Sequence, residues 1–367
     1  MTGLTVVTGA AGYLGRRIVA RLLAETGDRL LLTVRGEPAG LETSLRRELG
    51  ATHQDRITVV PVDLLDPAPF RAVDPSPVTR VVHVAARTEF TVPLPVARAV
   101  NVAGTRKVAE FAARCPGLRR LLVLSTLYSA GERTGEVTER AHDGAAGFAN
   151  HYEWSKYEAE RLLTGYAGLP LSVARPATVV ADDATGAVSR HNAFHNTLKL
   201  YFYGLLSLVP GDPDTRLYLA DADFTARGAV RLADPDTPAG IYHLAPSPAE
   251  TVSLGTLIQD VFDVFETDPG FRRRRVLRPR FCDRDSFRDL VTAARGLSAS
   301  PLAAALDSVA PFAAQLFLPK RFDNRRLAAA WPSRPPVRVR ELAAVACAEL
   351  VRTRWGRSGV SRMEKIA

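Results

Sequence analysis

The chain has 367 residues, 46% of them hydrophobic and 24% charged, a globular balance that excludes disorder as its main state and allows one large α/β domain or two of ordinary size. No apolar run reaches the roughly 18–20 residues that a membrane span requires; the longest, Leu198 to Pro210, is broken by Lys199, Gly204 and Ser207. The excess of 48 Lys+Arg over 39 Asp+Glu gives a net charge of +9, which either favours acidic partners (nucleic acid, phosphorylated cofactors, an acidic carrier protein) or reflects solvated arginine-rich helix faces.

Leu4–Val7 reads as a strand and Gly12–Ala24 as a helix, with Leu14, Ile18, Leu22 and Leu23 at helical spacing. A strand this early leaves no place for a signal peptide. Leu30–Val34, Ile57–Val62, Val81–Val84, Leu121–Leu124 and Leu171–Ala174 are apolar runs of strand length. Runs apolar on both faces suit a buried parallel sheet. Helices over Pro95–Arg114 and His151–Tyr166 complete the alternation. The expected fold is α/β, a doubly wound parallel sheet of Rossmann type. Past Arg175 the texture changes: an aromatic helix over Asn192–Leu208, short strands near Leu217 and Ile241, a helix over Leu254–Phe265, the Arg272–Arg275 cluster and a mostly helical remainder. This divides the chain into a dinucleotide-binding core (1–175), a smaller substrate lobe with some strands returning to the core (176–356) and a polar tail (357–367). Cys115, Cys282 and Cys347 are widely spaced and odd in number, with neither a disulfide framework nor a metal spacing, which points to the cytoplasm.

The first strand runs into Thr8-Gly9-Ala10-Ala11-Gly12-Tyr13-Leu14-Gly15. Glycines there permit a tight turn and close backbone approach to a pyrophosphate, and the helix N-terminus offers free N–H groups. The second strand ends Thr33-Val34-Arg35. An acidic residue at that place would hold the ribose hydroxyl of NAD. Arg35, helped by Arg16, suits the extra phosphate of NADP, although Glu37 is close by. Asp63-Leu64, after the third strand, either borders the adenine or begins a capped turn. Ala85-Ala86 follow the fourth strand and are small enough for a cofactor to lie against. His83, just before them, is a packing residue rather than a catalytic one.

Tyr152 and Lys156 stand four apart on one helix face. An ammonium beside a phenol lowers its pKa from about 10 and readies it for proton exchange with a carbonyl oxygen. Ser125 and Thr126, at the end of the fifth strand, compete on spacing for the hydroxyl that would steady a developing oxyanion.

Taken in order, these motifs resemble an extended short-chain dehydrogenase/reductase over residues 4–270, with Asn101 to Thr105 matching a structural helix segment of that family. Within it the chain is most similar to the thioester reductase and fatty acyl reductase, or male-sterility-type, branch. "HVAARTEF", "LSTLYSAG", Arg175-Pro176 running to Thr185-Gly186, Asp223, and the Phe-Asp-Asn of Arg321 to Leu327 carry that similarity. Ala181 and Ala220-Asp221 depart from the pattern, and Cys282–Pro319 matches nothing in it. The resemblance implies a catalytic set of Thr126, Tyr152 and Lys156. It implies a dinucleotide held by Thr8, Gly9, Ala11, Gly12, Tyr13, Leu14, Gly15, Arg35, Asp63, Leu64, Ala85, Ala86, Ser125, Tyr152, Lys156 and Pro176, and Tyr128 against the substrate. No metal is implied. The reaction implied is hydride delivery from NADPH to a carbonyl, chiefly of an acyl thioester carried on CoA or on an acidic carrier protein, giving aldehyde or alcohol. A ketone or aldehyde reductase, an NAD-dependent nucleotide-sugar epimerase or dehydratase, and a non-catalytic dinucleotide sensor are the alternatives. A nucleic-acid partner is not expected, and a homo-oligomer is compatible with the sequence.

Overall fold

A computed structural model describes residues 3–49, 55–296 and 301–356. The expected polar tail, 357–367, lies outside the described residues. In chain order the elements are β1 (Leu4–Thr8), α1 (Tyr13–Glu25), β2 (Arg29–Val34), α2 (Pro38–Leu49), β3 (Ile57–Pro61), β4 (Val78–His83), α3 (Leu94–Ala97), α4 (Gly104–Ala113), β5 (Arg120–Leu124), β6 (Gly135–Val137), α5 (His151–Leu163), β7 (Leu171–Pro176), β8 (Thr178–Ala181), α6 (Ala193–Phe202), β9 (Leu208–Pro210), β10 (Arg216–Leu217) and β11 (Leu219–Asp221). There follow α7 (Ala222–Ala233), β12 (Gly240–Leu244), β13 (Val252–Ser253), α8 (Leu254–Phe265), α9 (Pro269–Arg274), β14 (Arg280–Cys282), α10 (Arg284–Arg295), α11 (Pro301–Leu316), β15 (Lys320–Phe322), α12 (Arg325–Ala330) and α13 (Val339–Arg352).

Seven parallel strands form the central sheet in the order β12-β7-β5-β4-β1-β2-β3. Its middle strands are apolar on both faces because helices cover both: every residue of β5 is buried. The stripe Ile18, Val19, Leu22 and Leu23 of α1 is likewise fully buried, or nearly so, which is why the helical spacing read from sequence marks a core face. The strand expected near Ile241 is β12, the sheet's last strand, and α7 packs beside α1. The later half of the chain thus returns to the core.

Three elements differ from expectation. The helix expected over Pro95–Arg114 is α3 and α4 joined by a π-helical stretch, Arg98–Ala103. The aromatic helix stops at Phe202 because Gly204 turns with φ +70, and the chain re-emerges as β9. Helix α2 has too weak an apolar stripe to be read from sequence. All three cysteines are free thiols, and among the described residues no helix is long and apolar enough to cross a membrane.

Candidate active site

The strand order reverses at β1, flanked by β2 on one side and β4 on the other, so a crevice opens beyond the carboxyl ends of these strands. The turn from β1 into α1 fills it. Gly9 has φ +71, and a Cβ on it would stand 2.6 Å from the Ala85 amide nitrogen. A Cβ on Gly15 would stand 2.0 Å from the Gly9 carbonyl oxygen. Glycine is therefore required at both positions by backbone-to-backbone contact. Gly12 precedes α1 and gives it no side-chain cap, so the first-turn N–H groups of the helix are left for an anion. Thr8 is buried; its hydroxyl meets His83 Nδ1 at 2.7 Å, and His83 Nε2 meets the Thr105 hydroxyl at 3.0 Å. Burial, reinforced by the nearby Lys156 charge, pushes the His83 pKa down to about 3. It is a neutral, satisfied packing residue.

The other residues expected around a dinucleotide are distributed around this turn. Arg35 is exposed beyond β2 and free of ion pairs among the described residues. The Arg16 guanidinium donates to the Ala11 carbonyl at 3.2 Å and to Ser44 of α2. Asp63 accepts from the Leu65 amide at 2.9 Å, so it does begin a capped turn, while Leu64 is buried and its carbonyl takes the Lys107 ammonium at 2.8 Å. Ala85 and Ala86 are half-buried at the end of β4, and Pro176 is buried at the end of β7. Tyr13 turns away from the glycines: its hydroxyl donates to Asp182 at 2.6 Å and Arg17 stacks over its ring.

The reactive side chains gather at the end of β5. Thr126 is buried and caps the 3₁₀ turn Leu127–Ala130, accepting from the Tyr128 amide at 3.2 Å. Tyr152, in the first turn of α5, is 8% exposed. Desolvation pushes its phenol up to about 12, with the Thr126 hydroxyl acting in the opposite direction. Lys156 does not offset that burial. Its ammonium donates to the Leu124 carbonyl at 2.6 Å, and burial pulls its own pKa down to about 8. The lowering of the phenol expected from Tyr152 and Lys156 sharing a helix face is therefore absent here. Both groups are desolvated, and the ammonium is engaged by the strand end instead. Phe90 sets its ring edge-on to both Tyr128 (5.2 Å) and Tyr152 (5.8 Å), and the Tyr128 hydroxyl meets Thr178 at 2.8 Å.

Ser125 points elsewhere. Its hydroxyl donates to Glu160, which Arg175 grips from Nε at 3.1 Å and from Nη2 at 2.5 Å, both groups being buried. Arg175 reaches on to His243 at 3.3 Å. Sequence reading passed over this chain of groups because its members lie up to 118 positions apart (Ser125 to His243). Asn101, expected as part of a structural helix segment, bonds both the Arg87 backbone and the Ser155 hydroxyl of α5 at 2.9 Å. Glu153, beside Tyr152, was missed as well. It accepts from Gln315 at 2.8 Å, and Lys320 bonds that same glutamine. Burial raises the Glu153 carboxyl and lowers the Lys320 ammonium, each moderated by the other's charge. Its position directly after Tyr152 was the one available signal. Tyr157, further along the same helix, packs on Phe148.

A family model described as "Male sterility protein", an NAD-binding domain, matches residues 7–229, more than half of the chain. The chain belongs to that family. It is an oxidoreductase of the extended short-chain dehydrogenase/reductase class, in the thioester reductase and fatty acyl reductase branch, with a nicotinamide cofactor. Relatives include an isonitrile lipopeptide synthase of Streptomyces coeruleorubidus, 29% identical over 291 residues that cover 74% of this chain and 19% of that protein. The fatty acyl-CoA reductase wat of Drosophila melanogaster is 23% identical over 328 residues, covering 75% of this chain and 63% of that one. The chain thus spans less than two thirds of either length. In fold it is similar to the terminal R domain from the myxalamid PKS-NRPS biosynthetic pathway, with TM-score 0.77, 22% identity and coverage of 96% of this chain and 92% of that one. A thiolation-reductase di-domain from an archaeal non-ribosomal peptide synthetase matches with TM-score 0.74 and 18% identity, over 97% and 76%.

Proposed function

We propose that this male-sterility-family reductase takes hydride from NADPH and reduces the carbonyl of an acyl thioester, giving an aldehyde or, after a second reduction, an alcohol. The observation that carries this reading is the packing of α5, with Tyr152 buried in its first turn, against the turn that Thr126 caps at the end of β5, with Phe90 set edge-on to both Tyr128 and Tyr152. The residues fit a dinucleotide. Gly9 and Gly15 keep the turn tight, the uncapped start of α1 offers N–H groups to a diphosphate, and Ala85-Ala86 present little bulk. Arg35, exposed and unpaired, supports a preference for the extra phosphate of NADP over NAD.

A bound dihydronicotinamide supplies the hydride. The chain supplies the rest. Thr126 holds the carbonyl oxygen and Tyr152 gives it a proton, at a pH far below a phenol pKa of about 12, where the donor form is fully present. Lys156, whose ammonium sits on the Leu124 carbonyl, would hold the nicotinamide ribose and would restore charge balance when the phenol loses its proton. Phe90 and Tyr128 wall the carbonyl from water. A thioester carbon so reduced carries both an oxygen and a sulfur substituent; expulsion of the thiol leaves the aldehyde.

Anaerobic NADPH oxidation against a panel of octanoyl-CoA, octanal and simple ketones tests the reading. Turnover of the thioester with release of one thiol per acyl group is the expected result. Oxidation by ketones alone would replace it with a carbonyl reductase. No oxidation by any member would remove the reductase assignment.

A further inference from the structure

One surface near this site has no role in the chemistry above. The turn after α6 and the strand β14 run side by side: the Arg280 amide donates to the Ser207 carbonyl at 3.0 Å, and β14 pairs with β9 in parallel. Between them they expose Tyr203, Leu205, Leu277 and Phe281, with Leu277 85% and Leu205 52% open to solvent. These are four of the seven large apolar side chains exposed among the described residues. Exposed apolar groups scattered singly are ordinary; a cluster of this kind with a polar rim is not.

The rim is mostly positive. Between positions 268 and 282 the chain carries six arginines and one acidic residue, Asp268. That aspartate is occupied in capping α9, accepting from the Phe271 amide at 2.7 Å. Arg278 is paired with Asp263 and Glu266, and Arg274 lies over the Phe202 ring. Arg272, Arg273, Arg275 and Arg280 are exposed and make no ion pair among the described residues. They leave the stretch beside the apolar cluster strongly positive, with Asp283, the cap of α10, and Asp285 at its far end. Elsewhere several surface arginines are paired with glutamates one turn away: Arg161 with Glu158 on α5, Arg352 with Glu349 on α13, and Arg338 just before α13 with Glu341.

The segment that follows this surface reaches the turn after β5. Two residues beyond β14, Arg284 opens α10 and pairs with Glu132 at 3.5 Å. Glu132 lies just past the 3₁₀ turn that Thr126 caps. A partner seated on Leu277 and Phe281 would therefore be joined, through α10, to the turn that Thr126 caps.

We propose that this apolar patch with its arginine border is the docking surface for an acidic carrier protein that presents the acyl thioester. The proposal rests on the thioester reading above. An amphipathic acidic helix fits it: apolar side chains cover Leu205, Leu277 and Phe281 while carboxylates meet Arg272, Arg273 and Arg280. CoA has the phosphates to meet the arginines but nothing of matching size to cover four apolar side chains.

The test compares one acyl group on two deliveries, using the full chain with a bacterial acyl carrier protein bearing octanoyl-phosphopantetheine and with octanoyl-CoA. Arg272→Glu with Arg273→Glu, and separately Leu277→Asp, change only exposed side chains. Both variants should lose at least tenfold in kcat/KM for the carrier-borne octanoyl group, mostly in KM, and keep that for octanoyl-CoA within twofold. Carrier turnover unchanged in both variants would overturn the proposal. So would a loss confined to octanoyl-CoA in the arginine variant, which would make the border a CoA phosphate site. If the wild type reduces neither thioester, the thioester reading fails. Docking is then decided by fluorescence anisotropy of labelled carrier: salt-sensitive binding lost in both variants retains the surface, and no binding by the wild type removes it.

Discussion

The glycine turn and the tyrosine pocket share one crevice but are built on opposite terms. The turn is local: Gly9, Gly12 and Gly15 lie within seven positions, and its main outside contact is with the backbone at Ala85. The pocket is assembled from afar. Thr126 ends β5, Tyr152 begins α5, Phe90 comes from the loop after β4, Thr178 opens β8, and Gln315 and Lys320 reach Glu153 from the far end of the chain. A site made of backbone fails when a side chain is added. A site made of side chains fails when one functional group is taken away.

Removing the phenol oxygen tests the pocket most severely. Tyr152→Phe should lower kcat by about 10²–10⁴, the range for a lost general acid, while dinucleotide affinity stays near wild type by fluorescence titration. Retained turnover would show that another group gives the proton. Adding one methyl group tests the turn. Gly9→Ala must place an L-residue at φ +71 and push a Cβ toward the Ala85 nitrogen; the conformation alone costs about 1–2 kcal/mol. Dinucleotide affinity and Tm should both fall, and unchanged affinity would mean that the turn does not hold the diphosphate.

A finer division within the cofactor side comes from Arg35→Ala. The dissociation constant for NADPH should rise about tenfold, as expected for loss of one charged hydrogen-bonding partner, with that for NADH nearly constant. An equal rise for both would detach Arg35 from the phosphate.

The smallest separation is in pH. Burial holds His83 and His243 near pKa 3 and His142 and His195 near 4, all below their unfolded value of 6.5. Below pH 6.5 the unfolded chain takes up protons that the native protein refuses, so stability is lost as pH falls, by ~1.4 kcal/mol per unit for each histidine. Glu139 and Glu153, raised to about 7 by burial, act in the opposite sense over this range, so Tm should fall between pH 6.5 and 4.5 less steeply than four histidines alone would require. His83→Gln should flatten that slope, and an unaltered slope would show that His83 does not contribute to it.

Much of this molecule was legible without coordinates, for reasons visible in particular residues. β5 reads as a strand because all of its residues are buried, and α1 reads as a helix because its buried face repeats at helical spacing. Asn101 was matched as part of a structural helix, but its bonds to Arg87 and Ser155 depend on a π-helical stretch that no spacing rule signals. Ser125 and Thr126 were equal on spacing. In the fold the Ser125 hydroxyl is turned to the buried Glu160–Arg175 pair, and the Thr126 hydroxyl is left beside the phenol.

Sequence alone determined what depends on neighbours along the chain: the alternation of strands and helices, the glycine turn, and the four-residue interval from Tyr152 to Lys156. These follow from backbone sterics and short-range periodicity, which a linear pattern records directly. Only the tertiary structure decided where each polar group spends its hydrogen bonds. Lys156 finds the Leu124 carbonyl, Asp63 its own turn, and Glu153 the glutamine of α11. Burial decides those partnerships, because a desolvated charge or hydroxyl takes whichever partner the packing brings within reach.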